Sequence, residues 1–338
     1  MRTALDAQLS VGTATGIGEY VRGLAGALRT RGLDVVELRE NGLDPWRFDR
    51  RVLWDQVLLP RRARACGARL LHCASGTMPA ASALPIVVTV HDLAWHEAQG
   101  HAPFYARFYF GRFSLRQYRR ARRVFVDSDF SRRRLLALSD LDPGRVEVLY
   151  PGVAGDFNTV RRQSDGRTIL AVGTVEPRKN LEVLVRALPR LQGARVVAAG
   201  PHTPYAGECA ALAQRLGVAQ RFEMPGYVSR EQLLGLYGSC AVAAVPSLYE
   251  GFGYAAAQAL CAGVPCVVSD RSSLPEIAGG DAHVVAAQDP GAWAEALASA
   301  LSGRDESATE LARARSIARF SWAAAARTAE RAYASIDG

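Results

Sequence analysis

A chain of 338 residues that is 49% apolar and carries a net charge of +8 can build two domains with separate cores, and is too apolar for a disordered chain. It holds no run of about eighteen uncharged apolar residues. Its first residues, Met1-Arg2-Thr3-Ala4-Leu5-Asp6, lack the basic-then-apolar build of a secretory leader, so a cytoplasmic chain is expected. Cys66, Cys73, Cys209, Cys240, Cys261 and Cys266 are scattered without a close metal-ligand pair. They read as buried free thiols, and no metal site is expected.

In chain order, residues 2–9 read as a first strand. The glycine loop Gly12-Thr13-Ala14-Thr15-Gly16-Ile17-Gly18 follows and opens a helix to about Thr30, which brings backbone amides toward a ligand. The loop is out of register with the dinucleotide fingerprint, and no acidic residue clearly ends the next strand at 34–38. Segments 69–73 and 85–90 are apolar, β-branched and bounded by Gly or Pro, as short buried strands are. The second runs into His91-Asp92. Ligands bind beyond the carboxyl ends of parallel strands, so His91 is placed where chemistry would occur, with Asp92 orienting it or capping the next segment.

An arginine-rich segment follows: Arg107, Arg112, Arg116, Arg119, Arg120, Arg122, Arg123, Arg132, Arg133 and Arg134, with Phe104, Tyr105, Phe108, Tyr109, Phe110, Phe113 and Tyr118 interleaved in its first half. It fits first an amphipathic helix with aromatics in the core and solvated arginines, and second a face lying on an anionic membrane. No nucleic-acid partner is expected, since no recognition motif accompanies the charge. Residues 123–128 form another strand, with Ser128 or Asp129 capping the helix after it. After a strand at 145–150 the apolar pattern fails across 154–166, which is expected to be a linker between domains at 1–153 and 167–318.

A second α/β series begins at 167–173 and turns through Thr174-Val175-Glu176-Pro177-Arg178-Lys179-Asn180 into a helix from about Leu181. Two adjacent cations ahead of a helix suit a diphosphate, Arg178 as a planar fork and Lys179 as a compact charge. Strands at 195–199, 221–224, 241–245 and 265–269 alternate with helical stretches around 205–216, 230–237 and 254–262, so a mostly parallel, doubly wound sheet is expected. Gly200-Pro201-His202 and Gly226-Tyr227-Val228 end two of these strands and are expected to line a nucleotide pocket, with Tyr227 and Val228 as candidate base contacts. At Pro246-Ser247-Leu248-Tyr249-Glu250-Gly251-Phe252-Gly253-Tyr254 a carboxylate and two glycines sit where a strand turns into an Ala-rich helix. Gly251 and Gly253 let the backbone approach a ligand, the helix opens with unpaired amides, and Glu250 stands at the mouth. Glu276 is expected to fix a helix start. Beyond 283–287 the chain reads as helical to its end, Asp289-Pro290 opening one helix and Phe320-Ser321-Trp322 the last, at 319–338.

The corner at 246–260 resembles the Glu-x7-Glu signature of the family-four retaining glycosyltransferases. Val-Thr-Val-His-Asp-Leu at 88–93 and Glu-Pro-Arg-Lys-Asn at 176–180 are similar to family segments as well, so the resemblance covers nearly the whole chain. It implies the α/β GT-B fold: two Rossmann-like domains facing a central cleft, with a C-terminal helix crossing back to the first. It places Glu250 on the donor sugar's hydroxyls, position 258 on the ribose, and the amides of Phe252 and Gly253 on the sugar, with Gly251 and Tyr254 in the same corner. His91 would line the reaction centre. Gly16, Ile17 and Gly18 would approach the donor phosphate and the acceptor, and Gly173 and Thr174 the diphosphate. Two positions depart from the pattern. Gln258 stands at the second glutamate, and Thr174 where the family commonly has arginine, with Arg178 as substitute cation.

The Glu-Pro-Arg-Lys-Asn variant resembles members that build bacterial surface polysaccharides, often mannosyltransferases. That favours a retaining hexosyl transfer from GDP-mannose, over UDP-linked donors, to a glycan; a lipid-linked acceptor, and a peripheral place at the inner face of a membrane, fit the basic-aromatic segment instead. In the implied mechanism Arg178 and Lys179 stabilise the departing diphosphate in place of a metal, and the acceptor attacks the front face and gives its proton to the leaving phosphate. Closure of the cleft would exclude water. Two alternatives use the same corner: a sugar-nucleotide epimerase of this fold, and a non-catalytic nucleotide-sugar-binding protein, the latter motivated by Gln258 and Thr174. A hydride-transferring dehydrogenase fits less well because of the glycine loop's spacing.

Overall fold

The computed structural model describes residues 1–11, 16–97, 104–303 and 306–337; the loop positions Gly12, Thr13, Ala14 and Thr15 lie outside them. The chain divides into two compact units, Met1–Gly152 with Phe320–Gly338, and Val153–Arg319.

The first unit is built on strands β1 (Thr3–Asp6), β2 (Val35–Leu38), β3 (Leu70–Cys73), β4 (Ile86–Val90), β5 (Arg123–Val126) and β6 (Val146–Val148). They pair in the order β2-β1-β3-β4-β5-β6, and every pairing is parallel. Alternate residues supply the two faces. Leu71, Cys73, Val88, Val90, Val124 and Val126 pack in one core with Trp54, while Leu5, Leu70, Val87 and Phe125 pack in another with Tyr20, Leu24, Ala326, Ala329 and Tyr333. Burial on both faces explains why these strands read as apolar runs rather than alternating ones.

The final helix, Trp322–Asp337, belongs to this unit and lies against the helix Gly16–Thr30. The Trp322 ring takes the space over Gly23 and Gly152: a Cβ added at either would come within 2.5 Å of its atoms. Tyr333 carries the anchor inward, its hydroxyl 2.6 Å from His72 Nδ1, while His72 Nε2 meets Thr89 Oγ1 at 2.8 Å and Thr89 in turn meets the Tyr20 hydroxyl at 2.9 Å. Burial pushes His72 down to about 3, so this ring is neutral.

The second unit is built on β7 (Thr168–Val172), β8 (Arg195–Ala199), β9 (Phe222–Gly226), β10 (Val242–Val245), β11 (Cys266–Ser269) and β12 (His283–Val285), again all parallel, in the order β12-β11-β10-β7-β8-β9. The strand order reverses between β7 and β10. In open parallel sheets that reversal opens a crevice beyond the strand ends.

Residues 154–166, expected as a linker, are folded onto the second unit. Phe157 is fully buried against the Tyr237 ring and covered by the Arg230 guanidinium, 4.2 Å from its centroid, while Arg230 also pairs with Asp156 at 2.7 Å. The amides of Gln163 and Asp165 donate to the carbonyls of Gly238 and Ser239. A single aromatic anchor holds an otherwise polar strap, which is why composition suggested a loose connection. The six cysteines are free thiols, all but Cys66 buried.

Candidate functional site

The loops that leave β7 and β10 meet at the second unit's reversal point. The first passes through Gly173 (φ +138°) to Arg178 and Lys179, then enters the helix Leu181–Ala187 through Asn180 in a left-handed conformation (φ +52°). The second passes through Ser247 and Glu250 to Gly253, which precedes the helix Tyr254–Cys261. Leu248 N–H donates to the Arg178 carbonyl at 2.8 Å, and the Asn180 amide donates to the carbonyls of Pro246 and Ala287. The loops form one corner.

Glu250 does not stand exposed at the mouth. It is 8% exposed, and its carboxylate accepts from Lys179 Nζ at 2.6 Å, Ser247 Oγ at 2.7 Å and Arg178 Nη1 at 3.1 Å. Burial opposes its charge, but Lys179 and then Arg178 outweigh it and hold the carboxyl below its ordinary range. Its backbone is fixed as well: Glu250 N–H donates to Ser272 Oγ, and Ser273 Oγ lies 3.0 Å from the Glu250 carbonyl and 2.8 Å from that of Phe252. Ser247 and Asn180 lie inside the quoted motifs, but the sequence assigns no role to them or to Ser272 and Ser273, because serines and asparagines in loops carry no signal until a partner is seen.

The two cations differ in commitment. Arg178 Nη1 donates to the Tyr249 carbonyl at 2.8 Å as well as to Glu250, and Nη2 donates to Glu176 at 2.7 Å. Lys179 lies against Gly173, where an added Cβ would stand 3.1 Å from Lys179 Cε, and lines a small cavity with Gly173, Pro246 and Ser247. Thr174 is half-buried beside Gly173. Gly253 takes φ +100°, and a Cβ there would stand 2.8 Å from Leu274 Cδ2, so glycine is required on both counts. Phe252 and Tyr254 meet edge to face at 5.2 Å. Gln258 is buried, and its Oε1 lies 3.3 Å from the Tyr237 hydroxyl. Tyr227 is exposed, and Val228 half-buried, at the end of β9.

On the first unit, Gly16, Ile17 and Gly18 open the helix after β1, with Gly18 buried and Ile17 packed on the core. His91 sits at the carboxyl end of β4. Asp92 does not orient it: Asp92 is exposed and caps the Ala94 amide at 3.0 Å. The partner is Asp127, after β5, at 2.8 Å from Nδ1, while Nε2 lies 2.9 Å from the Ala74 carbonyl. Asp127 was read only as the end of a strand, since nothing in the sequence pairs positions 91 and 127.

A buried charge cluster lies at the end of β1. Arg51 meets Asp55 at 3.0 Å and Asp6 at 3.6 Å, Trp54 Nε1 donates to Asp6, and the Tyr109 hydroxyl donates to Asp55 at 2.9 Å. Tyr109 thereby ties down the aromatic segment, which is helical from Phe104 through Arg120 with a wide π turn at Arg107–Phe113. The segment divides between its two readings. Tyr109 and Tyr118 are buried, whereas Phe104, Tyr105 and Phe108 are exposed, as are Trp95, stacked on Phe110, and the arginines at 107, 112 and 116. No described helix is long and apolar enough to cross a membrane. Among the described residues, no group of three His, Cys, Asp or Glu side chains is gathered as a metal ion would need.

Two families match the chain in succession, "Glycosyltransferase Family 4" over residues 14–156 and "Glycosyl transferases group 1" over residues 156–316. The fold is that of the GT-B glycosyltransferases. Sucrose-phosphate synthase from Thermosynechococcus elongatus shares this GT-B fold with a TM-score of 0.75 and 22% identity over 99% of both chains. Anabaena HepE, solved in complex with UDP-glucose, shares it with a TM-score of 0.77 and 14% identity over 99% of this chain and 100% of its own. Among curated relatives, D-inositol 3-phosphate glycosyltransferase of Mycolicibacterium smegmatis is 32% identical over 219 residues, 60% of this chain and 50% of that protein. The protein of the same name from Mycobacterium avium is 32% identical over 262 residues, 71% of this chain and 61% of its own. The GT-B chain described here thus spans half to about three fifths of these relatives' length.

Proposed function

We propose that the chain is a retaining glycosyltransferase that takes a hexose from a nucleotide-diphosphate sugar held on its second unit. The observation that carries this reading is the Lys179–Glu250–Arg178 cluster, a buried carboxylate between two half-buried cations, at the β7/β10 reversal, beside the amino end of the helix Tyr254–Cys261. A lysine with a single carboxylate partner at a helix entrance can exchange that partner for a diphosphate and stabilise the charge that grows on it as the sugar departs. Arg178, spent on Tyr249, Glu176 and Glu250, keeps the corner in shape rather than acting as a second phosphate ligand. Released from Lys179, the Glu250 carboxylate is set to accept from sugar hydroxyls near Gly251, Phe252 and Gly253. Gln258 offers a neutral amide to the ribose.

The acceptor hydroxyl attacks the face from which the diphosphate leaves and passes its proton to the leaving phosphate; the new glycosidic bond forms as the sugar–phosphate bond breaks. Resemblance in the sequence favours mannose and a guanine nucleotide, whereas HepE's UDP-glucose complex supports testing uridine donors alongside. A glycan acceptor fits the same resemblance, a lipid-linked one fits the basic-aromatic segment, and the relatives named for D-inositol 3-phosphate add a polyol phosphate to the candidates. The exposed aromatics among arginines support peripheral docking on an anionic membrane at the cytoplasmic face.

A thermal-shift panel of GDP, UDP, ADP and their sugar conjugates, with and without chelator, tests the reading. One nucleotide family should raise the melting temperature by mass action, and the shift should survive chelation. Transfer from that donor completes the test. No shift from any donor overturns the donor site. A shift without transfer favours a binding protein, and a changed free sugar without acceptor favours an epimerase.

A further inference from the structure

His91 stands between the ends of β3 and β5. Its Nε2 faces the Ala74 carbonyl oxygen, which only accepts, so this nitrogen carries a proton. Its Nδ1 faces Oδ2 of Asp127, and the proton between them belongs to the stronger base: a free imidazole binds its proton at 6.5, a free aspartate at 3.8. We propose that Asp127 holds His91 as an imidazolium with both N–H groups spent inside the protein, making His91 a fixed charge and a clasp across three strand ends, not a proton acceptor. Asp127 is then a positioning residue, acting through His91.

The surroundings agree. Asp127 faces the ring from the end of β5, Asp92 adjoins it in the chain, and Tyr20 presents an edge-to-face ring at 4.8 Å from the helix Gly16–Thr30, its hydroxyl bonded to Thr89. The nearby His72 is neutral, so no second cation competes. Burial opposes the His91 charge; the Asp127 carboxylate and its hydrogen bond outweigh it, Ala74 and Asp92 add to them, and the ring's pKa rises. Burial also raises the Asp127 carboxyl against the pull of His91, so the two titrate as a pair.

The charge state rests on geometry, while its use in transfer rests on the function proposed above. With His91 unable to accept, the acceptor's proton must leave on the diphosphate. The test is a titration of ¹⁵N-imidazole-labelled protein followed by NMR, with His91 assigned by its loss in His91→Gln. Both ring nitrogens of His91 should carry protons across neutral pH, with a midpoint above 6.5. In Asp127→Asn the midpoint should drop below 6.5, because burial is then unopposed by a carboxylate. A neutral, single-tautomer ring in the wild type at neutral pH overturns the proposal, and so does an unchanged midpoint in Asp127→Asn. If Asp127→Asn does not fold, the wild-type titration decides alone. In transfer assays the wild-type kcat should not rise as His91 loses its proton, and a rise tracking that loss would reveal a base. Absence of transfer in every variant would instead defeat the proposed function, with the titration still deciding the charge.

Discussion

Lys179 Nζ and Glu250 Oε1 stand 2.6 Å apart, joining the loop that leaves β7 to the loop that leaves β10. The pair is nearly dry, with side-chain exposures of 17% and 11%, so neither charge is solvated at low cost without the other. A ligand with its own negative charge relieves that constraint by replacing one partner.

Lys179→Ala should therefore weaken nucleoside-diphosphate binding about tenfold to a hundredfold, since a hydrogen bond to a charged group contributes about 1.5–3 kcal/mol. Arg178→Lys should change that affinity by much less, because Arg178 is bonded to Tyr249, Glu176 and Glu250, yet lower the unfolding free energy by about 1–2 kcal/mol through the lost fork. Isothermal titration with the nucleotide that stabilises the wild type, paired with urea unfolding, separates the two effects. Equal losses of affinity would return Arg178 to the diphosphate.

The same cluster sets an acid limit. The folded-state pKa of Glu250 lies below its ordinary 4.5, so its contribution to stability is present above that value and is lost as pH falls through the folded pKa. Glu250→Gln removes this linkage. The variant should be less stable than the wild type near neutrality, and the gap should narrow as pH is lowered below 4.5, in unfolding curves taken at matched ionic strength. A gap that stays constant with pH would show that the carboxylate is not held charged by Lys179 and Arg178.

Gly253 is strained for any other residue. Gly253→Ala meets both the positive φ and Leu274 Cδ2, and should cost about 1–3 kcal/mol. The helix Tyr254–Cys261 would shift at its amino end, so donor turnover should fall more than global stability alone explains. A steady-state assay well below the variant's melting temperature checks this, and wild-type turnover there would remove Gly253 from the site.

The strand pattern was readable because parallel strands buried on both faces leave apolar, β-branched runs, opened by Pro85 at 85–90 and set between Gly166 and Gly173 at 168–172. The corner was legible as two loops because Gly251, Gly253, Arg178 and Lys179 fall where strands turn into helices, and the structure brings those loops together. What stayed hidden is partnership across the sheet. No local pattern links Glu250 to Lys179, His91 to Asp127, or Arg51 to Asp6, since each pair is made by strand order rather than sequence distance; Arg51 and Asp55, four apart on one helical stretch, are the local exception. Arg51, which no motif singles out, is buried; Phe157 falls within the expected linker and is an anchor.

The aromatic segment yields the last prediction. Phe104, Tyr105 and Phe108 are 84%, 53% and 45% exposed, close together in the chain. Arg107, Arg112 and Arg116 are exposed on the same segment, so the chemistry that suits it is an apolar layer beneath anionic headgroups. Each arginine near such a surface contributes about 1 kcal/mol, roughly fivefold in partitioning. Arg112→Gln with Arg116→Gln should therefore reduce cosedimentation with phosphatidylglycerol vesicles by about twentyfold or more. Phe104→Ser with Phe108→Ser should reduce it while keeping the salt dependence, because the arginines remain. Both double variants keep Tyr109 and its bond to Asp55, so the segment's anchor to the first unit is untouched. Unchanged binding in both, or equal binding of the wild type to neutral vesicles, would leave the segment as an exposed helix face with no lipid to meet.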